Sequence, residues 1–388
     1  MVIERIELNH FRNYENLSVQ PDGGTNIFFG ANGSGKTNLL EAIHYCSLGK
    51  SHRMNQDLNV VQMKAEGASC HLWIRTNYAR NEVEVRLRPG EDTVKSVWID
   101  QKKASRLSEM MGVLRCVIFS PEDLNLIKEG PAARRKFLDM MISQISRPYF
   151  LALQNYRIAM NQRNAILKTA RTEHIGLDPM IQDFEISMAK QARIICQERA
   201  QIYQMLQEEG QRIYQEISGK ENEEFQIVYQ PSVNFEGKTD NPMIGLLKKS
   251  REDDLRTGGT SLGPHRDELA LSLNHKSMRL YASQGQMRTG ALSLKLAELM
   301  IFRKITHESP VLLLDDVMSE LDLNRRMNLL NILEGVQTFI TCSDEGDLAE
   351  YQNHRTYKVS AEQGLGQLIM IKEGPSRNAQ TFQEPDFN

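Results

Sequence analysis

Residues 26–48 read NIFFGANGSGKTNLLEAIHYCSL: an apolar run, a glycine-rich bend and an amphipathic stretch in succession. Gly30-Ala31-Asn32-Gly33-Ser34-Gly35-Lys36-Thr37 has the spacing G-x-x-x-x-G-K-T of a phosphate loop. Each residue type there has a mechanical reason. Gly30, Gly33 and Gly35 let the backbone curl until successive N–H groups face one anion. Lys36 is long enough to reach the β- and γ-phosphates, and the Thr37 hydroxyl is a ligand suited to Mg²⁺. Leu39, Leu40, Ala42 and Ile43 give the following helix a buried face, and its dipole favours the phosphates. A glycine-rich strand-to-helix turn with an incidental Lys-Thr is the bland competitor, and the strand before and helix after weigh against it. The stretch predicts binding of a nucleoside triphosphate.

The remaining chain is long enough for two domains, or for one domain carrying a large insertion: 388 residues, 40% hydrophobic and 25% charged. No apolar run approaches the roughly 18–20 residues that cross a bilayer. MVIERIELNHF at the start alternates like a strand and lacks the apolar block of a signal peptide. The five cysteines are scattered, with no CxxC pair, and read as reduced thiols of a cytosolic protein with no zinc site. A formal net charge of −3 gives no hint of nucleic acid, so any contact with DNA requires a local patch.

Strand patterns precede the loop at Ile6–Leu8 and Leu17–Val19, and alternation over residues 70–99 predicts an antiparallel meander. Ser120-Pro121-Glu122-Asp123 is placed to cap a helix. From about residue 131 the pattern turns helical. Residues 148–171 and 179–217 predict two antiparallel helices, the second with apolar residues Ile181, Phe184, Met188, Ile195, Ile202, Leu206 and Ile213 close to a repeat of about 3.5. The pair reads as a hairpin arm inserted into a nucleotide-binding domain. The expected division is therefore 1–130 and 223–372 for the ATPase head, 131–222 for the arm, and 373–388 for a polar, flexible tail.

A second half of the nucleotide site follows from Pro310-Val-Leu-Leu-Leu-Asp-Asp316. An apolar run ending in acids is the pattern of a buried parallel strand, and ligands gather at the carboxyl ends of such strands. Asp315 is placed to hold Mg²⁺, and Asp316 to orient, or take a proton from, the attacking water. Ser283 in Ala282-Ser283-Gln284-Gly285-Gln286 begins an apolar helix. By itself it reads as an N-cap, and the same geometry also makes a second anion site. His265-Arg266-Asp267 lacks a nucleophile and reads as a turn with an ion pair.

This order of motifs resembles the ATP-binding-cassette (ABC-type) ATPases of the SMC/Rad50 group. Phe11-Arg12-Asn13-Tyr14, Pro121-Glu122-Asp123-Leu124, Gly263-Pro264-His265-Arg266-Asp267 and Ser283-Gln284-Gly285-Gln286 resemble the RecF family of bacterial recombination mediators within it. The resemblance implies an α/β fold, an ABC-type ATPase head with mixed parallel and antiparallel sheets. It implies two heads sandwiching two ATP molecules, Gly30 to Thr37 acting in cis. Ser283 and Gly285 would close on the partner's nucleotide, with Ser319 to Asp322 in the dimer contact. Arg12 and Asn13 match residues that touch nucleotide in related heads; a plain surface arginine at a strand end is the alternative for Arg12. Expected cofactors are ATP and Mg²⁺, with catalytic Lys36, Asp315 and Asp316 and metal ligands Thr37 and Asp315.

Two departures predict slow turnover. Asp316 stands where most such ATPases carry glutamate, and the loop after Ile340 has no histidine. For DNA, residues 131–171 hold Arg134, Arg135, Lys136, Arg147, Arg157, Arg163, Lys168 and Arg171 against the single acid Asp139. Arg157, Lys168 and Arg171 fall within a helical sector of roughly 60°. They are the expected DNA-binding stripe, a solvated helix face being the alternative. The resemblance implies a cytosolic, weakly DNA-stimulated ATPase. It would dimerise on ATP, bind single-stranded or gapped DNA, work with RecO and RecR, and help load RecA in repair, replication and the SOS response. The competitors are the ATPase subunit of a membrane transporter, which would carry Leu-Ser-Gly-Gly-Gln, and a Rad50 head, whose coiled coils are far longer than this insertion.

Overall fold

The computed structural model describes residues 1–51, 53, 56–90, 94–237, 241–343 and 354–372. The expected tail, His52 and Asp344 lie outside the described residues. The chain forms two compact units, Met1–Ala104 with Pro310–Asn388, and Ser105–Ser309. The arm expected at 131–222 lies within the second, whose borders differ because the arm helices pack on β-strands and on a helix beyond 222.

In the first unit, β1 (Val2–Phe11), β2 (Tyr14–Val19), β4 (Ala68–Arg75), β5 (Arg80–Leu87), β6 (Lys95–Ile99) and β7 (Lys102–Lys103) form an antiparallel sheet in the order β2-β1-β4-β5-β6-β7. Alternation puts Ile6, Leu8, Cys70, Leu72, Ile74, Val83 and Val85 on one buried face. The unit also arranges β3 (Thr25–Phe29), β12 (Val311–Asp315), β13 (Thr338–Cys342), β14 (His354–Glu362) and β15 (Leu365–Lys372) in the order β15-β14-β3-β13-β12. β14, β3, β13 and β12 are parallel and β15 turns back antiparallel. Every residue of β12 and β13 is buried, and both strands are mainly apolar apart from Asp315, Thr338 and Thr341. Phe28 stacks between Phe339 and Tyr357, at centroid distances of 6.0 and 4.8 Å, tying three of these strands together. Helix α1 (Lys36–Leu48) touches both sheets and is buried nearly all round, so little of its apolar character is confined to one stripe.

The second unit holds β8 (Cys116–Phe119), α2 (Asn125–Lys128), α3 (Pro131–Ile145), α4 (Arg147–Glu173) and α5 (Ile181–Ser218). These are followed by β9 (Phe225–Gln230), α6 (Pro242–Lys249), α7 (Arg251–Thr257), β10 (Glu268–Leu273), β11 (Lys276–Ser277), α8 (Met278–Tyr281) and α9 (Gln284–Thr306). α4 and α5 pack along one another across the short connection 174–180, as the sequence pattern expects. The Asp123 carboxylate accepts from Ser120 N–H at 2.7 Å, an acidic cap as expected but of a 3₁₀ turn. α5 lies against β9 so closely that a Cβ on Gly210 would sit 2.6 Å from Ile227 Cδ1, and the Ile227 side chain would have to shift to admit it.

The α4–α5 seam is not purely apolar. Phe184 is only half-buried, while its neighbour Glu185 is buried and meets the fully buried Arg163 at 3.2 Å. Arg163 also donates to Asp254 at 2.8 Å and Thr260 Oγ1 at 2.9 Å. Arg199 of α5, likewise buried, donates to Asp139, Asp267, the Tyr149 hydroxyl and Pro264 O. Asp267 thus pairs with Arg199 and not with its chain neighbours, so His265-Arg266-Asp267 does not converge. His265 instead bonds Tyr156 and Thr260 O, and burial pushes its pKa down to about 4.

Removing one member of such a network strands buried charge. Arg163→Ala is expected to cost about 3–5 kcal/mol in a denaturant melt. Arg157→Ala, exposed on the same helix, should cost no more than about 0.5 kcal/mol.

Candidate nucleotide site and its neighbours

β3 ends at Phe29 and α1 begins at Lys36, so the loop 30–35 bridges a buried strand and a buried helix. Gly35 occupies the N-cap with φ 114°, where a Cβ would meet the Asn13 carboxamide at 2.5–2.7 Å. Only glycine serves there. α1 therefore starts with no side-chain cap and no acid in its first turn, an N-terminus suited to an anion. Lys36 Nζ folds back onto Gly30 O and Ala31 O at 2.6 and 3.0 Å. Burial lowers the Lys36 pKa, opposed by the carboxylates of Asp316 and Asp315.

Strand β12 delivers Asp315 to the start of α1. Thr37 Oγ1 donates to Asp315 Oδ1 at 2.8 Å, although the two residues lie far apart in sequence. Asp316 follows in the left-handed region with φ 54°, and Ser319 Oγ donates to its carbonyl at 3.0 Å. Ser319 thus closes the turn after the acids, and Asp322 caps α10 (Leu323–Ile332) by accepting from Arg325 N–H. A hydroxyl and one carboxylate in contact are hard oxygen donors. They fit an octahedral ion that keeps several waters and takes its other ligands from phosphate. Magnesium would be held by Thr37 and Asp315. Among the described residues no cluster of three or more His, Cys, Asp or Glu could hold a metal unaided.

Asn13 is brought to the loop, whereas Arg12 is directed to the body of α1. Asn13 Nδ2 donates to Ser34 O at 2.9 Å, its Oδ1 accepts from Asn38, and the Tyr14 hydroxyl donates to Gly35 O. Arg12, at φ 55°, forks onto Glu41 at 2.9 and 2.7 Å and reaches Asn59 O. Glu41 lies inside α1, fully buried, and also accepts from Ser51. Sequence reasoning missed Glu41; the available signal was an acid on a helix otherwise buried all round.

In the second unit, Ser283 Oγ accepts from Gln286 N–H at 3.3 Å while Gln286 Oε1 accepts from Ser283 N–H at 2.9 Å. This is a capping box, and the N-cap expectation holds. Ser283 nonetheless remains exposed, and Gly285 sits half-buried in the first turn of α9. Arg157, Lys168 and Arg171 are exposed along α4. Arg157 approaches Asp139 at 3.7 Å, and Arg171 donates to Thr257 O. The longer run of cations does not form one surface. Arg134 is buried and forks onto Glu268, Arg135 donates to Asp267 O, and Arg163 belongs to the interior.

Comparison with known proteins places the chain in a family. The family model described as RecF/RecN/SMC N terminal domain matches residues 2–366. The DNA replication and repair protein RecF of Clostridium novyi is 39% identical over 354 residues, covering 90% of this chain and 95% of that protein. The chain belongs to the RecF family. A solved structure of the recombination mediator protein RecF-ATP in RecFOR pathway superposes with a TM-score of 0.85 at 33% identity, covering 95% of this chain and 97% of that one. An Smc head bound to the C-winged helix domain of ScpA matches with a TM-score of 0.56 at 15% identity, which bears on the fold alone. The α/β fold is that of an SMC-like ABC-type ATPase head.

Glu41→Gln keeps the shape but removes the charge that Arg12 grips. Because hydrogen bonds to charged groups contribute about 1.5–3 kcal/mol, a stability loss of that order is expected in a denaturant titration.

Proposed function

We propose that this protein is an ATP-dependent DNA-binding recombination mediator whose nucleotide-bound form is a homodimer. The observation that carries the reading is the meeting of the phosphate loop with Asp315 in a chain of the RecF family. In this reading Gly30 to Thr37 cradle the triphosphate. Lys36 turns from the Gly30 and Ala31 carbonyls to phosphate oxygens. Asp316 orients the attacking water or takes its proton, and Ser283 and Gly285 close on the partner's nucleotide. Magnesium, when bound, neutralises phosphate charge. Arg12 would have to leave Glu41 to reach a phosphate, so its part in this reading is to brace α1. The short Asp316 side chain makes hydrolysis a slow, DNA-stimulated release step after binding has clamped the dimer.

The exposed Arg157, Lys168 and Arg171 would neutralise the backbone of single-stranded or gapped DNA. RecO, RecR and RecA are the expected partners, in cytoplasmic repair, replication and the SOS response. A transporter ATPase subunit is disfavoured by the family match, and among the described residues no helix is long and apolar enough to cross a membrane.

Sedimentation with and without ATP tests the dimer: the wild type should double in mass with ATP and Lys36→Ala should not. A wild type that stays single at saturating ATP would sink the reading. Replacing Arg157, Lys168 and Arg171 together with glutamate should weaken DNA binding and flatten its salt dependence while nucleotide affinity is kept. Unchanged DNA affinity would move the DNA site elsewhere.

A further inference from the structure

β13 lies between β3 and β12, parallel to both, and its register places Thr341 opposite Phe28 on one side and Asp315 on the other. Thr341 is fully buried. Its hydroxyl has one proton to give, and two acceptors stand near: Asp315 Oδ1 at 2.8 Å and Leu314 O at 3.5 Å. The shorter contact, to an ionised acceptor, is the stronger by a wide margin. The same oxygen accepts the backbone N–H of Asp316 at 2.9 Å. One hydroxyl therefore grips both acids, the first by its carboxylate and the second by its main chain.

The grip on Asp316 matters because of that residue's backbone. Its φ of 54° is a conformation that L-residues adopt at a cost, aspartate among the more tolerant. An N–H held by a rigid strand residue fixes that bend, and with it the direction in which the Asp316 side chain leaves the sheet. Asp315 Oδ1 accepts two hydroxyls, from Thr37 and from Thr341, both at 2.8 Å. Thr37 is the one expected to turn toward a magnesium–nucleotide complex. Thr341 is then the bond that continues to hold the carboxylate.

We infer that Thr341 is a positioning residue for hydrolysis, acting through Asp315 and Asp316 and touching neither nucleotide nor water itself. The inference rests on the reading of these two acids as hydrolytic residues. Serine keeps the oxygen that does the work, and valine keeps the β-branched shape while losing it. Misplacement of a reacting group by about 1 Å can lower a rate by about 100-fold.

The test compares Thr341→Val and Thr341→Ser in the full chain, with Asp316→Asn and Lys36→Ala as references. Steady-state ATP hydrolysis is measured with DNA present, together with magnesium-free affinity for a fluorescent ATP analogue and the thermal midpoint. Thr341→Val should lose about 10- to 100-fold in kcat with KM and analogue affinity within about threefold of wild type, and Thr341→Ser should regain wild-type kcat within about threefold. A Thr341→Val protein whose midpoint drops while its kcat stays within about twofold of wild type would reduce Thr341 to a packing role, provided Asp316→Asn has lost turnover. Turnover that survives in Asp316→Asn or Lys36→Ala would instead overturn the reading of the site. Should Thr341→Val not fold, Thr341→Cys, small enough to pack and a poor donor, is expected to show the same split, and wild-type kcat in that variant would overturn the inference.

Discussion

The Asp315 carboxylate is where three distant segments of the chain are held together. One of its oxygens accepts a hydroxyl from the first turn of α1 and another from the end of β13, while its own strand supplies the backbone. This arrangement requires that β3, β13 and β12 be neighbours in a parallel sheet, so that their carboxyl ends open on one edge. The phosphate loop gains its shape from local sequence. Its second half exists only because that sheet order is kept.

Burial on both faces of the parallel strands enforces the order. Phe28, Phe339 and Tyr357 stack across three strands, and α1 is enclosed between this sheet and the antiparallel one. A helix so enclosed cannot tilt freely, which keeps the start of α1 at Thr37 in register with Asp315. Arg12 and Glu41 brace the same helix, and a buried carboxylate demands such a partner. Strength in the cradle thus comes from packing around α1 as much as from the loop itself.

The helical unit uses a different device. Arg163 and Arg199 take buried charge into the seams around α4 and α5, each satisfied by carboxylates and carbonyls from several elements. Such networks contribute little net stability compared with apolar packing, yet they tolerate few alternative arrangements. They fix which turn of one helix faces which turn of the other. Arg157, Lys168 and Arg171 stay exposed along α4.

Much of this was legible in the chain. The spacing from Gly30 to Thr37, the apolar run ending at Asp315 and the helical period over 148–171 and 179–217 each depend on neighbours in sequence, and local backbone sterics and periodicity suffice to read them. The four-residue cap at Ser120 and that at Ser283 were legible for the same reason. Period places a residue on a face, however, without saying what that face meets. Period set Arg157, Lys168 and Arg171 apart among the eight cations of residues 131–171, but it could not show that Glu268, Asp254 and Glu185 claim Arg134 and Arg163. Glu41 and Thr341 likewise acquire their roles from partners on other elements. Ion pairs and bridging hydroxyls are set by which strands and helices become neighbours, and that choice belongs to the packed structure.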